Sequence, residues 1–286
     1  MDWLKYKKIY FAFSGLLILA GIFSLVNWGL KLGVDFRGGT IIEYKFKEPV
    51  STEAITREVE KRGMEITSIQ PTGKSSYLFR LPPIKAEEKG KVAEILESLT
   101  KSEVDELRFE TVGPSVGPEL VKKTVYAIVV AAAAILLWIT YQFRSFKFGV
   151  SAVLAMLHDS FILISSFSLL GHFFSAEVDF LFVTALLTTL SFSVHDTIVV
   201  FDRIREIKKR YGGELGDIAN QALSETMVRS LNNSFTIVFM LVAFLLLGGT
   251  TIKWFATALL IGTILGTYSS PFLAVPILVV WDKHRR

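Results

Sequence analysis

One stretch joins a long apolar segment to a basic, helix-favouring one: Ser193-Val194-His195-Asp196-Thr197-Ile198-Val199-Val200-Phe201-Asp202-Arg203-Ile204-Arg205-Glu206. The segment that leads into it, residues 180–201, contains no Lys, Arg or Pro. At about 1.5 Å per residue it covers about 33 Å, more than the 30 Å or so of a hydrocarbon core. We therefore predict a membrane-spanning helix that carries an aspartate, Asp196, inside it.

An aspartate near the centre of a span costs about 2.5–3.5 kcal/mol on insertion scales, so Asp196 is expected to face protein or water and to have a partner. It lies about five residues, or about 8 Å, from the proposed inner end of the span. Snorkelling of its carboxylate to the membrane interface is therefore the alternative interpretation.

The composition indicates an integral membrane protein. The 286 residues are 51% hydrophobic and include 23 Phe, and the mean hydropathy is +0.46. The absence of Cys excludes disulfides and Cys-ligated metal sites. We find no nucleic-acid motif, catalytic triad, nucleotide-binding loop or metal-ligand cluster, so we expect neither an enzyme nor a bound cofactor.

Six apolar segments predict six spans, at 9–28, 124–141, 148–170, 180–201, 231–247 and 251–281, the last shortened by Pro271 and Pro276. The first is interpreted as an uncleaved span, because it is longer than a signal-peptide core and lacks an Ala-x-Ala exit. Lys and Arg concentrate in the connections on one side, whereas the short loops of the other side hold Lys253 alone. The positive-inside rule therefore predicts cytoplasmic termini and an exported segment at 31–121.

The exported segment has the pattern of one α+β domain. Alternation predicts strands at 40–46, 64–70, 77–81 and 107–112, and helical periodicity predicts helices at 52–61 and 85–99. The order βαββαβ is typical of a ferredoxin-like fold. The chain is thus predicted to be a polytopic α-helical membrane protein with three parts: 1–30 with the first span, the domain at 31–121, and 122–286 with spans two to six.

Two polar stripes are candidate sites within the spans. Thr189, Ser193 and Asp196 share one face of span four, because their spacing is four and three. A second stripe, at the start of span five, consists of Arg229, Asn232, Asn233 and Thr236. An aspartate beside an arginine can hold or release a proton as the ion pair forms and breaks. A fixed ion pair, an arginine at the membrane interface, or Asn and Thr contacts that only stabilise helix packing would give the same pattern.

Two further charged features have open interpretations. Asp159 lies about 11 residues into span three, near the bilayer centre, where it either transfers protons with His158 as a relay or hydrogen-bonds to neighbouring spans. The charges of residues 202–225 predict a basic helix at the inner membrane surface. This helix either docks a partner or fixes the membrane topology by binding anionic lipid. Its charged motif comprises Asp202, Arg203, Arg205 and Glu206.

Four motifs in order along the chain resemble the SecF family of the bacterial Sec translocase. They are Gly33-Val34-Asp35-Phe36-Arg37-Gly38-Gly39-Thr40, Val112-Gly113-Pro114-Ser115-Val116-Gly117-Pro118-Glu119-Leu120, His158-Asp159, and the run from Asp196 to Glu206. The resemblance implies a multi-pass protein of the bacterial inner membrane, in a SecD–SecF assembly of the resistance-nodulation-division type. It further implies association with the SecYEG channel, and use of the proton motive force, or of sodium in some relatives, to draw preproteins outward after SecA has pushed them in.

The resemblance also implies roles for individual residues. An acid in span four, an arginine at the start of span five and an acid of SecD form the family's ion-transfer site, and the first two correspond to Asp196 and Arg229. The family pattern has Arg-Thr where this chain has Arg229-Ser230.

The first glycine-rich motif, with Gly33, Asp35, Arg37, Gly38 and Gly39, is expected to be a junction beside the membrane. Its glycines permit positive φ or close backbone approach, and Asp35 is expected to pair with Arg37. It is either a tight structural junction or a substrate-binding loop. The second motif is expected to form the return hinge.

Two other functions of the chain stay open, a half-transporter for a small molecule or lipid and a purely structural subunit of the channel complex.

Overall fold

The computed structural model describes residues 2–84, 86–113 and 116–284. A 3-10 turn (Trp3–Tyr6) is followed by α1 (Lys7–Trp28), α2 (Val34–Arg37), β1 (Gly39–Lys45), α3 (Thr52–Lys61), β2 (Ser68–Pro71), β3 (Ser76–Leu81), α4 (Ala86–Thr100), β4 (Asp105–Val112), α5 (Val116–Phe143), α6 (Phe146–Phe174), α7 (Phe180–Tyr211), α8 (Leu215–Leu247), α9 (Thr250–Ser269), a π-helical turn (Ser270–Ala274) and α10 (Val275–Lys283). Two compact units result. The α+β unit is Leu32–Val125, and the chain on either side of it forms the helical unit.

The helical unit confirms the six predicted spans. In the described part of the chain, six helices are long and apolar enough to cross a membrane. The expected shortening of the sixth span is wrong: Pro271 and Pro276 do not end it, and it runs on to Lys283. Pro271 lies in the π-helical turn, where a missing backbone N–H and a clashing ring are absorbed by a local widening of the helix.

The basic segment 202–225 does not form a helix of its own. Residues 202–211 continue α7, and residues 215–225 begin α8, with a break at Gly212 and Gly213, whose φ angles are 65° and 106°. Only glycine takes such angles without strain, so the two long helices turn here. The charges predicted for a surface helix therefore lie on extensions of spans four and five.

Spans four and six approach closely because α9 offers two glycines to α7. A Cβ on Gly262 would lie 2.1 Å from Cγ2 of Thr189, and one on Gly266 would lie 3.1 Å from the Cα of Ser193. Small residues four apart permit such close helix packing in membranes. The polar face of α7 is thus buried against α9, with Thr189, Ser193 and Asp196 at 5%, 1% and 8% exposure.

The α+β unit confirms the predicted ferredoxin-like pattern. Its four strands pair antiparallel in the order β2-β3-β1-β4, with α3 and α4 between them in the chain. Ile42 of β1 lies opposite Phe79 and Phe109, and it is buried together with Ile55 of α3 and Leu96 of α4. Helix α3 begins at the predicted cap, where the N–H of Ala54 donates to Oγ of Ser51 at 3.3 Å.

The two glycine-rich motifs meet within this unit. A Cβ on Gly117 would lie 2.2 Å from the carbonyl oxygen of Phe36, so only glycine permits the start of α5 to contact α2. Gly38 and Gly39 have φ of 76° and 138°, as the junction prediction requires. Gly33 caps α2, a turn that periodicity did not predict, and its carbonyl accepts from the N–H of Arg37 at 3.1 Å.

The expected pair of Asp35 with Arg37 is wrong, since among the described residues no ion pair joins them and Arg37 is exposed. Pro114 and Ser115 of the return hinge, and Lys85 of the second predicted helix, lie outside the described residues.

Candidate functional site

Asp159 is hydrogen-bonded to side chains of two other helices and to its neighbour His158. Its Oδ2 accepts from the hydroxyls of Ser193, at 2.7 Å, and Ser269, and its Oδ1 lies 3.0 Å from Nδ1 of His158. The aspartate and the histidine are 6% and 7% exposed. In the part of the chain that is described, the Nε2 atom of His158 is buried with no hydrogen-bond partner. Three helices, α6, α7 and α9, thus converge on one carboxylate.

Two consecutive hydroxyls contact this region where α9 passes into the π-helical turn. Ser269, which ends α9, donates to Asp159, and Ser270 lies with its Oγ 2.9 Å from Oγ1 of Thr197. Ser270 also donates to the carbonyl of Ser193 at 3.2 Å. Consecutive helical side chains point about 100° apart, so the two serines reach different partners. Ser269 contacts Asp159 of span three, and Ser270 contacts Thr197, the residue that follows Asp196 on α7.

Asp196 is held by a neutral partner. The hydroxyl of Ser230 on α8 donates to its Oδ2 at 2.8 Å. Beside the carboxylate lies a cavity of ≈ 10 Å³, also lined by Ser234 and Thr267, whose hydroxyl donates to that of Ser234 at 2.6 Å. This volume is at the lower limit for one water molecule. The interpretation of Asp196 as a buried acid facing protein therefore fits, and snorkelling does not.

The structure corrects the expected contact between Asp196 and Arg229. Arg229 is exposed and, among the described residues, forms no ion pair with Asp196. Consecutive helical residues point about 100° apart, so Ser230 faces α7 while Arg229 points around the side of α8. There it lines an open groove of ≈ 530 Å³ together with Asp202, Arg203 and Glu225.

Of the rest of the second stripe, Asn233 also lines the cavity beside Asp196, whereas Asn232 and Thr236 do not. Asn232, Asn233 and Thr236 are exposed, and the Thr236 hydroxyl donates to the carbonyl of Asn232 at 2.9 Å. The sequence did not indicate which serines hydrogen-bond to the two buried acids, Ser230 to Asp196 and Ser269 to Asp159. The spacing of four between Ser230 and Ser234 was the available signal, but Ser is too common on membrane helices to single them out.

Two arginines of the charged motif after span four contact other parts of the chain. Arg203 pairs with Glu206 on its own helix and with Glu225 of α8, so it joins the two extensions. Arg205 donates to the carbonyl of Gln142 at 3.0 Å. Neither contact touches Asp196.

The chain is similar to known proteins over nearly its whole length. Residues 91–284 match the family model for the protein export membrane protein SecD/SecF, C-terminal, and residues 23–50 match that of the SecD/SecF GG motif. A protein translocase subunit SecF of Thermobaculum terrenum is 42% identical over 99% of this chain and 94% of its own. The chain belongs to the SecF family. Another SecF, from Vibrio alginolyticus, is 38% identical over 96% of this chain and 87% of its own.

The likeness to the SecF family extends to solved structures. The crystal structure of SecDF, a translocon-associated membrane protein from Thermus thermophilus, matches with a TM-score of 0.84 and 31% identity. The match covers 99% of this SecF-family chain but 39% of the SecDF chain. A SecDF of Bacillus subtilis is 32% identical over 98% of this chain and 38% of its own. The chain therefore corresponds to roughly two fifths of each SecDF protein.

Proposed function

We propose that this chain is an ion-gradient-driven subunit of a bacterial protein translocase, which works with a SecD partner in the late steps of preprotein export. The observation that carries the proposal is the buried carboxylate of Asp196 with a hydroxyl as its partner. A hydroxyl donates to a carboxylate and accepts from a carboxylic acid, so this site accommodates both protonation states. A fixed cation would instead favour the charged form alone.

The energy available to such a site is sufficient. One elementary charge that crosses 100 mV supplies about 2.3 kcal/mol. A free-energy difference of this size shifts a two-state equilibrium by more than tenfold. Because Asp196 touches α8 through Ser230, loading and unloading of the ion would act directly on how spans four and five pack.

The exposed stripe on α8 supports a membrane partner. Only 6% of the most apolar window of α5 and 11% of that of α8 are buried within the chain. Polar groups such as Asn232, Asn233 and the guanidinium of Arg229 are costly against lipid, so a second protein is expected to cover them. The SecDF relatives carry their SecF-like part in a longer chain, which supports SecD as that partner. Its acid would meet Arg229 and complete the site.

Asp159 is a second candidate for the ion-binding residue. In the apolar segments of the sequence it lies farther from the nearer end than Asp196 does. The Nε2 of His158, without a hydrogen-bond partner among the described residues, offers a place for an exchangeable proton. The coupling ion is H⁺ or Na⁺ in either case. The positive-inside rule supports cytoplasmic termini and an exported α+β unit. In this proposal the exported unit acts on preprotein that emerges from the SecYEG channel.

Preprotein export into inverted vesicles tests the proposal. The vesicles contain this chain, its SecD partner and SecYEG with SecA, and export is measured with and without an imposed gradient. Asp196→Asn and Arg229→Met are expected to abolish the stimulation by the gradient while the complex still purifies intact. Asp217→Asn, an exposed acid on the same helix as Arg229, is the control and is expected to keep it. Stimulation that survives in Asp196→Asn would make the subunit structural or move the site to Asp159.

A further inference from the structure

An open groove lies at the end of the second span, apart from both buried acids. It has a volume of ≈ 650 Å³ and is lined by Thr140, Tyr141, Gln142, Phe143, Arg144 and Arg205. The first four are the last residues of α5, and Arg205 comes from the extension of α7. The lining carries two guanidinium groups and no carboxylate.

Both guanidinium groups lack an acidic partner within the described residues. Arg205 bonds to the carbonyl of Gln142 at 3.0 Å and lies 5.9 Å from the ring centre of Phe143, which fixes its position. Arg144 is exposed and forms no ion pair. Other basic groups at this end of the bundle do have partners, such as Lys147 with Asp282 at 2.9 Å. The groove therefore holds two uncompensated positive charges.

An apolar surface leads into the groove along α5. Leu137, Trp138 and Tyr141 are 70%, 61% and 79% exposed, and they follow one another within about one turn of the helix. Aromatic residues with one apolar and one polar end are typical of the membrane interface. The same groove thus joins a cationic pocket to a surface suited to an acyl chain.

We propose that this groove binds the headgroup of one anionic phospholipid. The phosphate is held by Arg144 and Arg205, since guanidinium groups bind phosphate oxygens in pairs. An acyl chain lies along Leu137 and Trp138. A zwitterionic headgroup would bring its own cation beside the two arginines, whereas a free phosphate would leave the apolar surface unused. Anionic phospholipid is therefore the ligand that matches both halves of the site.

Lipid retention measured by native mass spectrometry tests the site. The full chain is released from nanodiscs of mixed phosphatidylglycerol and phosphatidylcholine, and the bound lipid is identified and counted. Wild type is expected to retain one phosphatidylglycerol in preference. Because each basic group near an anionic headgroup contributes about fivefold in affinity, Arg144→Gln and Arg205→Gln are each expected to weaken retention about fivefold, and together more.

The control variant is Lys208→Gln with Lys209→Gln, which removes the same charge from exposed positions on α7 that do not line the groove. It is expected to retain the lipid as wild type does. Equal losses in both double variants would overturn the proposal, because charge alone would then explain binding. Retention unchanged in the arginine variants, or full displacement of the lipid by inorganic phosphate, would overturn it as well. The single variant Arg144→Gln is not expected to disturb folding, since this side chain is exposed and forms no ion pair among the described residues.

Discussion

At the scale of single residues, Ser230 determines how Asp196 is held. Ser230→Ala removes the hydroxyl that donates to the carboxylate at 2.8 Å. A hydrogen bond to a charged group contributes about 1.5–3 kcal/mol, so we expect gradient-stimulated export to fall about tenfold or more. Export without a gradient should not change. Ser230→Thr keeps a hydroxyl, as the family pattern does, and is expected to restore the stimulation; its failure to do so would show that another feature of Ser230 matters.

In the α+β unit, substitution of Tyr44 is predicted to increase stability. Its hydroxyl is buried with no hydrogen-bond partner among the described residues, and burial raises its pKa above the usual 10.0. Tyr44→Phe removes an unsatisfied polar group, so we expect the unit to gain about 1 kcal/mol in free energy of unfolding. Hydrogen exchange of β1 in the full chain measures this gain.

The pH dependence of the same unit has a definite sign. The folded unit favours the neutral phenol of Tyr44, because burial raises its pKa. The stability that this tyrosine allows is therefore fully present below pH 10, and it falls above pH 10 because Tyr44 ionises more easily in the unfolded chain. Tyr44→Phe is expected to reduce this alkaline loss. The matched control is Tyr77→Phe, because the hydroxyl of Tyr77 accepts from the N–H of Val50 at 3.1 Å and its removal should destabilise. Equal effects of the two substitutions would contradict the account.

At the scale of helices, the packing of α7 on α9 depends on the absence of side chains at two glycines. Gly262→Ala would bring a Cβ to 2.1 Å from Thr189, and overpacking of this kind costs about 1–3 kcal/mol. We expect a lower unfolding temperature of the full chain in detergent. The double variant with Thr189→Ala makes room and should recover part of the loss. Gly15→Ala, where nothing lies within 4 Å of the new Cβ, is the control and should be neutral.

The sequence predicted the helices and strands well because apolar length and periodicity are local properties. The six spans, the βαββαβ order and the buried face of α7 all follow from such patterns. Which side chains meet across helices was predicted less well. The rotation of α8 that turns Ser230 inward and Arg229 outward depends on tertiary packing. The contact of Ser269 with Asp159 and the π-helical turn that follows Ser269 have no periodic signature. Two prolines suggested a shortened helix there, not a widened turn.

At the scale of the whole molecule, the chain leaves much apolar surface uncovered. Phe239 on α8 is 71% exposed and Trp138 on α5 is 61% exposed, whereas α6 and α7 are half buried. Arg229 and the polar stripe lie on the uncovered side of α8. We therefore expect the two buried acids to take their hydroxyl partners from this chain, and the partner to supply the acid that faces Arg229 and completes the site.

Ion flux through the assembled pair is the measurement that tests the central role of Asp196 most directly. Proteoliposomes hold this chain with its SecD partner, and a pH-sensitive dye, or a sodium-sensitive one, reports ion entry when a potential of about 100 mV is imposed. We expect flux in wild type and in the Asp217→Asn control, and none in Asp196→Asn. Flux of equal rate in Asp196→Asn would contradict it.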